Sequence, residues 1–272
     1  MPNSSLRLRQ LVRIHCIAAL GAIIAFVASP TDRTARADDA PPAAEGDANR
    51  KSERATLPAG TRVIITEIMY NPASDEARGE SEWVEIANLG TVAIEIVDWR
   101  LDDEDTRPAD QWGPFSCTLL PGQVAVLING DHVTEEEFRS AWDHPDSGDA
   151  MPYLVIPVKW GSLANTPSAT NEILVLRDTD DRIVCEVNFE TGRGWPRITG
   201  IGGPSIYLTD LDATDLNVGS IWKASTEGED GARLVRPTPI FNGADVGSPG
   251  RLPARRPAAV EASPKESTPK AS

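Results

Sequence analysis

The residues best suited to chemistry in this chain are carboxylates crowded into loops. Asp210-Leu-Asp-Ala-Thr-Asp-Leu-Asn217 spaces Asp210, Asp212, Asp215 and Asn217 so that side chains of one loop could converge on a cation. Calcium, which gathers six to eight hard oxygen ligands, suits such a loop. Asp102-Asp-Glu-Asp105 and Asp178-Thr-Asp-Asp181 concentrate oxygens in the same way. None of the three follows the helix-loop-helix calcium pattern, which needs a glycine at its sixth position and a closing Glu. Asp also favours turns for a local reason, because its carboxylate bonds the backbone two residues on. Asp210, Asp212, Asp215 and Asn217 are therefore a candidate calcium site weighed against a solvated turn, and no other cofactor is implied. A zinc set could draw on His132, His144, Asp131, Asp143 and Asp146, but the clustered Cys or His spacing usual for zinc is missing.

Nucleophilic catalysis requires a nucleophile beside a base that a third group holds in place. Outside the N-terminal leader the chain has only His132 and His144, and it contains neither Gly-x-Ser-x-Gly nor His-Glu-x-x-His. Cys117 and Cys185 lie in strand-like runs at 114–120 and 182–189, where a thiol is shielded rather than activated. An oxidising compartment would allow a Cys117–Cys185 disulfide. Two separate buried thiols acting as small hydrophobes are the alternative. The expectation is a protein that is not an enzyme.

The elements that must carry these loops have a period of two. Val84 and Ile86 alternate with Glu85; Val124, Val126 and Ile128 alternate with Ala125 and Leu127; Leu154, Ile156 and Val158 keep the same rhythm. Further short β-type runs lie at 173–176, 183–187 and 206–208. Turn signals separate the runs: Leu89-Gly90, Pro121-Gly122, Asn129-Gly130, Asp180-Asp181 and Gly202-Gly203-Pro204. The pattern predicts an all-β antiparallel sandwich with two inner apolar faces, and places Val84, Ile86, Val126, Leu174 and Val187 in its core. One short helix, over about 135–143, interrupts the strands. Thr134-Glu-Glu-Glu137 is a capping box, and Phe138 and Trp142 share the face that would dock on the sandwich.

Composition divides the chain into four stretches. Arg7, Arg9 and Arg13 precede an apolar run at 14–28, and Ala35-Arg36-Ala37 offers a small-x-small cleavage motif, so residues 1–37 read as an export signal. Fifteen residues span only about 22 Å as a helix, against roughly 30 Å of hydrocarbon core, although an uncleaved anchor is the alternative. Residues 38–61 read as a disordered linker and 251–272 as a disordered Pro/Ala/Lys-rich tail, because neither holds enough large apolar side chains to offset chain entropy. Residues 62–250 carry all seven tryptophans and form the domain. That stretch holds 13 Lys or Arg against 33 Asp or Glu, a net of −20, which repels phosphate backbones and disfavours nucleic acid as a partner. No segment after the leader is long and apolar enough to span a bilayer.

Several ordered motifs add a resemblance. Val63-Ile-Ile-Thr-Glu-Ile-Met-Tyr-Asn-Pro72, then Ser81-Glu-Trp-Val-Glu-Ile-Ala-Asn88 and Trp99-Arg-Leu101, resemble the opening of lamin-tail domains. Leu120-Pro-Gly-Gln123, Trp160-Gly-Ser-Leu-Ala-Asn165, Asn171-Glu-Ile-Leu-Val-Leu-Arg-Asp178, Gly203-Pro-Ser-Ile-Tyr-Leu208 and Gly247-Ser-Pro-Gly250 continue it in order, in the manner of exported bacterial members. The basic Pro-rich tail departs from the family's usual ending. The resemblance implies a single immunoglobulin-like β-sandwich and a non-catalytic module that binds or scaffolds a protein or surface polymer at the cell surface or envelope. The alternative is an accessory, substrate-binding part of a secreted hydrolytic system, in which exposed tryptophans would stack on sugar rings or otherwise help hold carbohydrate or nucleic acid.

Overall fold

The computed structural model describes residues 53–74, 79–103, 112–143, 152–164, 172–190, 192, 194–198 and 202–254. The export signal at 1–37, the linker up to 52 and the tail from 255 lie outside the described residues. The strands are β1 (Val63–Met69), β2 (Trp83–Asn88), β3 (Ile94–Asp102), β4 (Trp112–Leu119), β5 (Val124–Asn129), β6 (Leu154–Val158), β7 (Glu172–Arg177) and β8 (Ile183–Phe189). Short strands β9 (Ile206–Leu208), β10 (Trp222–Ala224), β11 (Arg233–Leu234) and β12 (Val246–Gly247) follow, and helix α1 (Glu135–Trp142) stands between β5 and β6.

The strands form a six-stranded sheet ordered β10-β9-β1-β2-β5-β6, a four-stranded sheet ordered β4-β3-β7-β8, and the β11–β12 ribbon. This is the all-β sandwich with one inserted helix that the sequence pattern predicts, and the immunoglobulin-like fold that the resemblance implies. Pairing is antiparallel except for β5 with β6, which is parallel. Parallel neighbours need a long crossover, and the stretch carrying α1 supplies it.

Ile65 and Ile68 of β1, Val84 and Ile86 of β2 and Leu127 of β5 pack against Trp99, Leu101, Leu174, Leu176 and Val187 of the facing sheet. Four of the five expected core residues sit here. Val126 is buried as well, but on the opposite face of the six-stranded sheet, in a second cluster with Met69, Trp83, Phe138, Trp142 and Phe241. β1, β2 and β5 are buried along their whole length, where the periodicity called for one inner face. The reason is that α1 and the chain beyond 233 cover the outer face. A strand covered on both sides reads as a continuous apolar run, as Val124-Ala-Val-Leu-Ile128 does.

Helix α1 begins as its capping box requires. The Glu137 N–H donates to Thr134 Oγ1 at 3.2 Å, and the Thr134 N–H donates to Glu137 Oε2 at 2.9 Å. Phe138 and Trp142 then meet the Trp83 ring edge-on at centroid distances of 6.3 and 5.7 Å. Packing of this kind fixes most short helices, which are marginal alone.

The folded region also reaches further toward the N-terminus than the expected boundary at 62. The Ile183 N–H donates to Glu53 O and the Ala55 N–H to Ile183 O, both at 2.8 Å, so residues 53–55 add a parallel bridge to the edge of β8. Gly202, just before β9, has φ of +76°, and a Cβ there would lie 2.1 Å from Asn71 O. Only glycine fits that turn.

Candidate functional site

The acidic loops serve their own backbones. In the 210–217 loop the Asp212 N–H donates to Asp210 Oδ1 at 3.1 Å and the Asn217 N–H to Asp215 Oδ1 at 2.9 Å. Asn217 Oδ1 accepts the Asn188 N–H of β8 at 2.7 Å. Among the described residues no three His, Cys, Asp or Glu side chains gather as metal ligands. The structure thus does not bring Asp210, Asp212, Asp215 and Asn217 together around an ion. Each oxygen that bonds an amide is turned toward the chain, which is the ordinary use of Asp and Asn in turns.

The run at 178–181 is used in the same manner. Asp178 Oδ1 accepts the N–H groups of Asp180 and Arg182, both at 2.9 Å, closing the β7–β8 hairpin. Asp102 pairs with Arg177 Nε at 2.8 Å inside the fold, with the Arg177 side chain only 1% exposed. Among the histidines, His132 is exposed in the turn after β5; His144, with Asp105 and Asp146, lies outside the described residues.

Cys117 and Cys185 are free, which corrects the disulfide expectation. They occupy β4 and β8, the two edges of the four-stranded sheet, with β3 and β7 between them. Three strand spacings make about 14 Å, far beyond the Cβ separation a disulfide tolerates. Burial pushes the Cys117 thiol up to about 11 and the Cys185 thiol up to about 12. Cys185 Sγ accepts the Ile65 N–H at 3.4 Å. Thiols held protonated in this way are poor nucleophiles.

Two glutamates that sequence reasoning did not single out make the most unusual polar cluster. Glu67 of β1 and Glu85 of β2 are register partners, so both side chains project to the same outer face, and each residue is 1% exposed. Glu67 Oε1 accepts Ser205 Oγ at 2.5 Å and the Ser248 N–H at 2.8 Å, while Oε2 accepts Ser248 Oγ at 2.6 Å. Glu85 Oε1 lies 2.7 Å from Thr66 Oγ1, and Oε2 accepts the Gly250 N–H at 2.8 Å. Arg233 is the neighbouring cation, but its Nε donates to Trp142 O at 2.5 Å and its Nη2 to Pro249 O at 2.9 Å. The signal was present in the sequence: a lone Glu amid large apolar residues in Ile-Thr-Glu67-Ile and Trp-Val-Glu85-Ile.

The accessible polar site lies elsewhere. A cleft of about 330 Å³ opens between the start of β1, the edge of β8 and the 211–217 loop, lined by Arg54, Arg62, Glu186, Thr214, Asp215 and Asn217 among others. Arg62 donates to the carbonyl oxygens of Leu211 and Ala213, which holds that loop against β1. Arg54 pairs with Glu186 at 3.1 Å. Residues 53–55 have already added to β8 beside this cleft, as an extended peptide does when it joins an open sheet edge. All seven tryptophans are buried, so none is offered as a stacking platform.

The family described as Lamin Tail Domain matches residues 56–191, half of the 272-residue chain. No curated protein matches the chain. The match ends before β9, yet β9 and β10 extend the same six-stranded sheet and the chain beyond them caps Glu67 and Glu85.

Proposed function

The chain belongs to the lamin tail domain family, and on that premise we propose that it is an exported, non-catalytic module that binds or scaffolds a partner at the cell surface or envelope. The family gives an immunoglobulin-like module. The cleft beside β8 carries the reading further, because there the fold takes up an extended backbone beside charges of both signs. A partner with an extended, polar segment is the chemistry this edge suits, since main-chain bonds supply affinity and flanking side chains supply selectivity. The accessory, sugar-stacking reading draws no support from tryptophans that are all in the core. Among the described residues, no helix is long and apolar enough to cross a membrane.

Photo-crosslinking in the native envelope tests this reading. A crosslinker at Thr214, on the cleft, is expected to capture one discrete partner that the same group at Thr134, on α1, does not. Equal labelling from both positions would remove the cleft as the binding site. Export is checked by mass spectrometry of the native N-terminus, expected at Asp38. Turnover in a phosphodiesterase, glycosidase and esterase screen, abolished by a point change in the domain, would overturn the non-catalytic claim.

A further inference from the structure

Glu67 and Glu85 are buried side by side, and the donors around them are not equivalent. Among the described residues every hydrogen-bond partner of Glu67 is a group able to donate: the Ser205, Ser225 and Ser248 hydroxyls and the Ser248 N–H, which cannot reverse its direction. An ionised, acceptor-only carboxylate fits that cage. Glu85 Oε2 is likewise fixed as an acceptor by the Gly250 N–H. Among the described residues Glu85 Oε1 meets only the Thr66 hydroxyl, at 2.7 Å, and that hydroxyl also lies 3.4 Å from the Glu85 main-chain oxygen. A proton on Oε1 therefore has an acceptor in Thr66 Oγ1, whose own hydrogen has an onward acceptor. For Ser248 Oγ, the equivalent group on Glu67, the only hydrogen bond among the described residues is the one to Glu67 itself.

Charge balance points the same way. Among the described residues Arg233 is the cation that acts on both carboxyls, and its described hydrogen bonds go to main-chain oxygens rather than to either of them. Tyr207 of β9 is the register partner of Glu67 and its hydroxyl donates to Asp230 Oδ2 at 2.6 Å, while the charges of Tyr153, Arg251 and Asp143 act on Arg233. A single cation can offset one buried anion, but a second would stand uncompensated where both side chains are shut off from solvent.

We propose that the two carboxyls form an asymmetric clasp on residues 248–250, with Glu67 ionised and Glu85 neutral and donating from Oε1 to Thr66, and that loss of the Glu85 proton opens the clasp. Burial raises both carboxyls. Glu85 rises well above its ordinary 4.5 through burial and the adjacent Glu67 charge, whereas the Ser205 and Ser248 donors pull Glu67 back. A proton bound more tightly when folded stabilises fully below the ordinary carboxylate value and is lost as pH rises through the folded-state value. The strap that would lift is tightly seated: a Cβ on Gly247 would lie 2.8 Å from the Trp83 ring and 3.2 Å from Glu67 Oε1. Its release would uncover the outer face of the six-stranded sheet.

Hydrogen exchange at the Ser248 and Gly250 amides of the full chain, read as protection factors against pH, tests the clasp. In the wild type, protection is expected to fall about tenfold per pH unit between the ordinary carboxylate range and the folded-state value. Glu85→Gln should keep protection flat with pH, because its amide can still donate to Thr66 and its oxygen can still accept from Gly250. Glu67→Gln should lose protection at every pH, because its NH₂ group faces donors. A Glu85→Gln variant that titrates like the wild type would overturn the assignment, as would the two variants exchanging behaviour. Should Glu67→Gln fail to fold, infrared spectroscopy decides: the carbonyl band of a buried protonated carboxyl must be present in the wild type at neutral pH and missing from Glu85→Gln. Its absence from the wild type, or its persistence in that variant, would sink the proposal.

Discussion

The 210–217 loop and the Glu67/Glu85 pair contain the same chemical group and use it in opposite ways. In the loop, carboxylates stand close in sequence, face water and bond amides two positions on. In the sheet, two carboxyls from different strands are shut off from solvent and join β1 and β2 to Ser205, just before β9, and to the C-terminal strap. Crowding along the chain is cheap in solvent, where charges are screened and hydrated. Burial is not, so a carboxyl inside must be surrounded by donors or keep its proton. The conspicuous acids are thus the bland ones, and the inconspicuous pair holds the structure together.

The contrast can be tested from its largest consequence down. Asp102 belongs to an acidic run in sequence but behaves as a buried group. Asp102→Ala should cost up to about 3–5 kcal/mol in chemical denaturation, because the buried Arg177 loses its 2.8 Å partner and, among the described residues, keeps the longer ion pair to Asp181, at 3.8 Å. A loss no larger than that of an exposed Asp would place Asp102 with the loop acids. Ile86→Ala, in the core between the sheets, should cost about 2–5 kcal/mol, since its side chain is fully buried.

Stability against pH comes next in size. Below the ordinary carboxylate value the Glu85 proton contributes fully; above it, stability should decline until the folded-state value is passed. Denaturation midpoints across that range should show a shallower decline in Glu85→Gln than in the wild type. Reductant should leave the melting temperature unchanged, because Cys117 and Cys185 are unbridged. A native disulfide would instead be worth about 2–5 kcal/mol. The smallest effect is expected at the loop: millimolar calcium, chelator and Asp215→Ala should each leave the melting curve where it was. A calcium-dependent rise that Asp215→Ala abolishes would restore the ion site and erase the contrast.

Much of the architecture was legible in the residues. Glu85 between Val84 and Ile86 marks a strand by its alternation, and Thr134 with Glu137 marks where α1 starts, because both signals are local and repeat at the period of the element. The cleft was less legible. Arg62, Glu186 and Asn217 come from three separate stretches; Asn217 stood out only as part of an acidic loop, and nothing in the sequence joins it to the other two. The linker boundary was misplaced for a related reason: residues 53–55 contribute main-chain bonds to β8, and backbone pairing of an edge leaves little trace in composition.

By itself, then, the sequence determined the period of the strands, the turns between them, the cap of the helix and the family to which they belong. Only tertiary structure decided which acids are buried, because that depends on what covers the second face of β1 and β2. The cover comes from chain 181 positions away, the separation between Glu67 and Ser248. A side chain's orientation along a strand follows from alternation alone, but whether that side meets water or protein is settled only when distant segments pack.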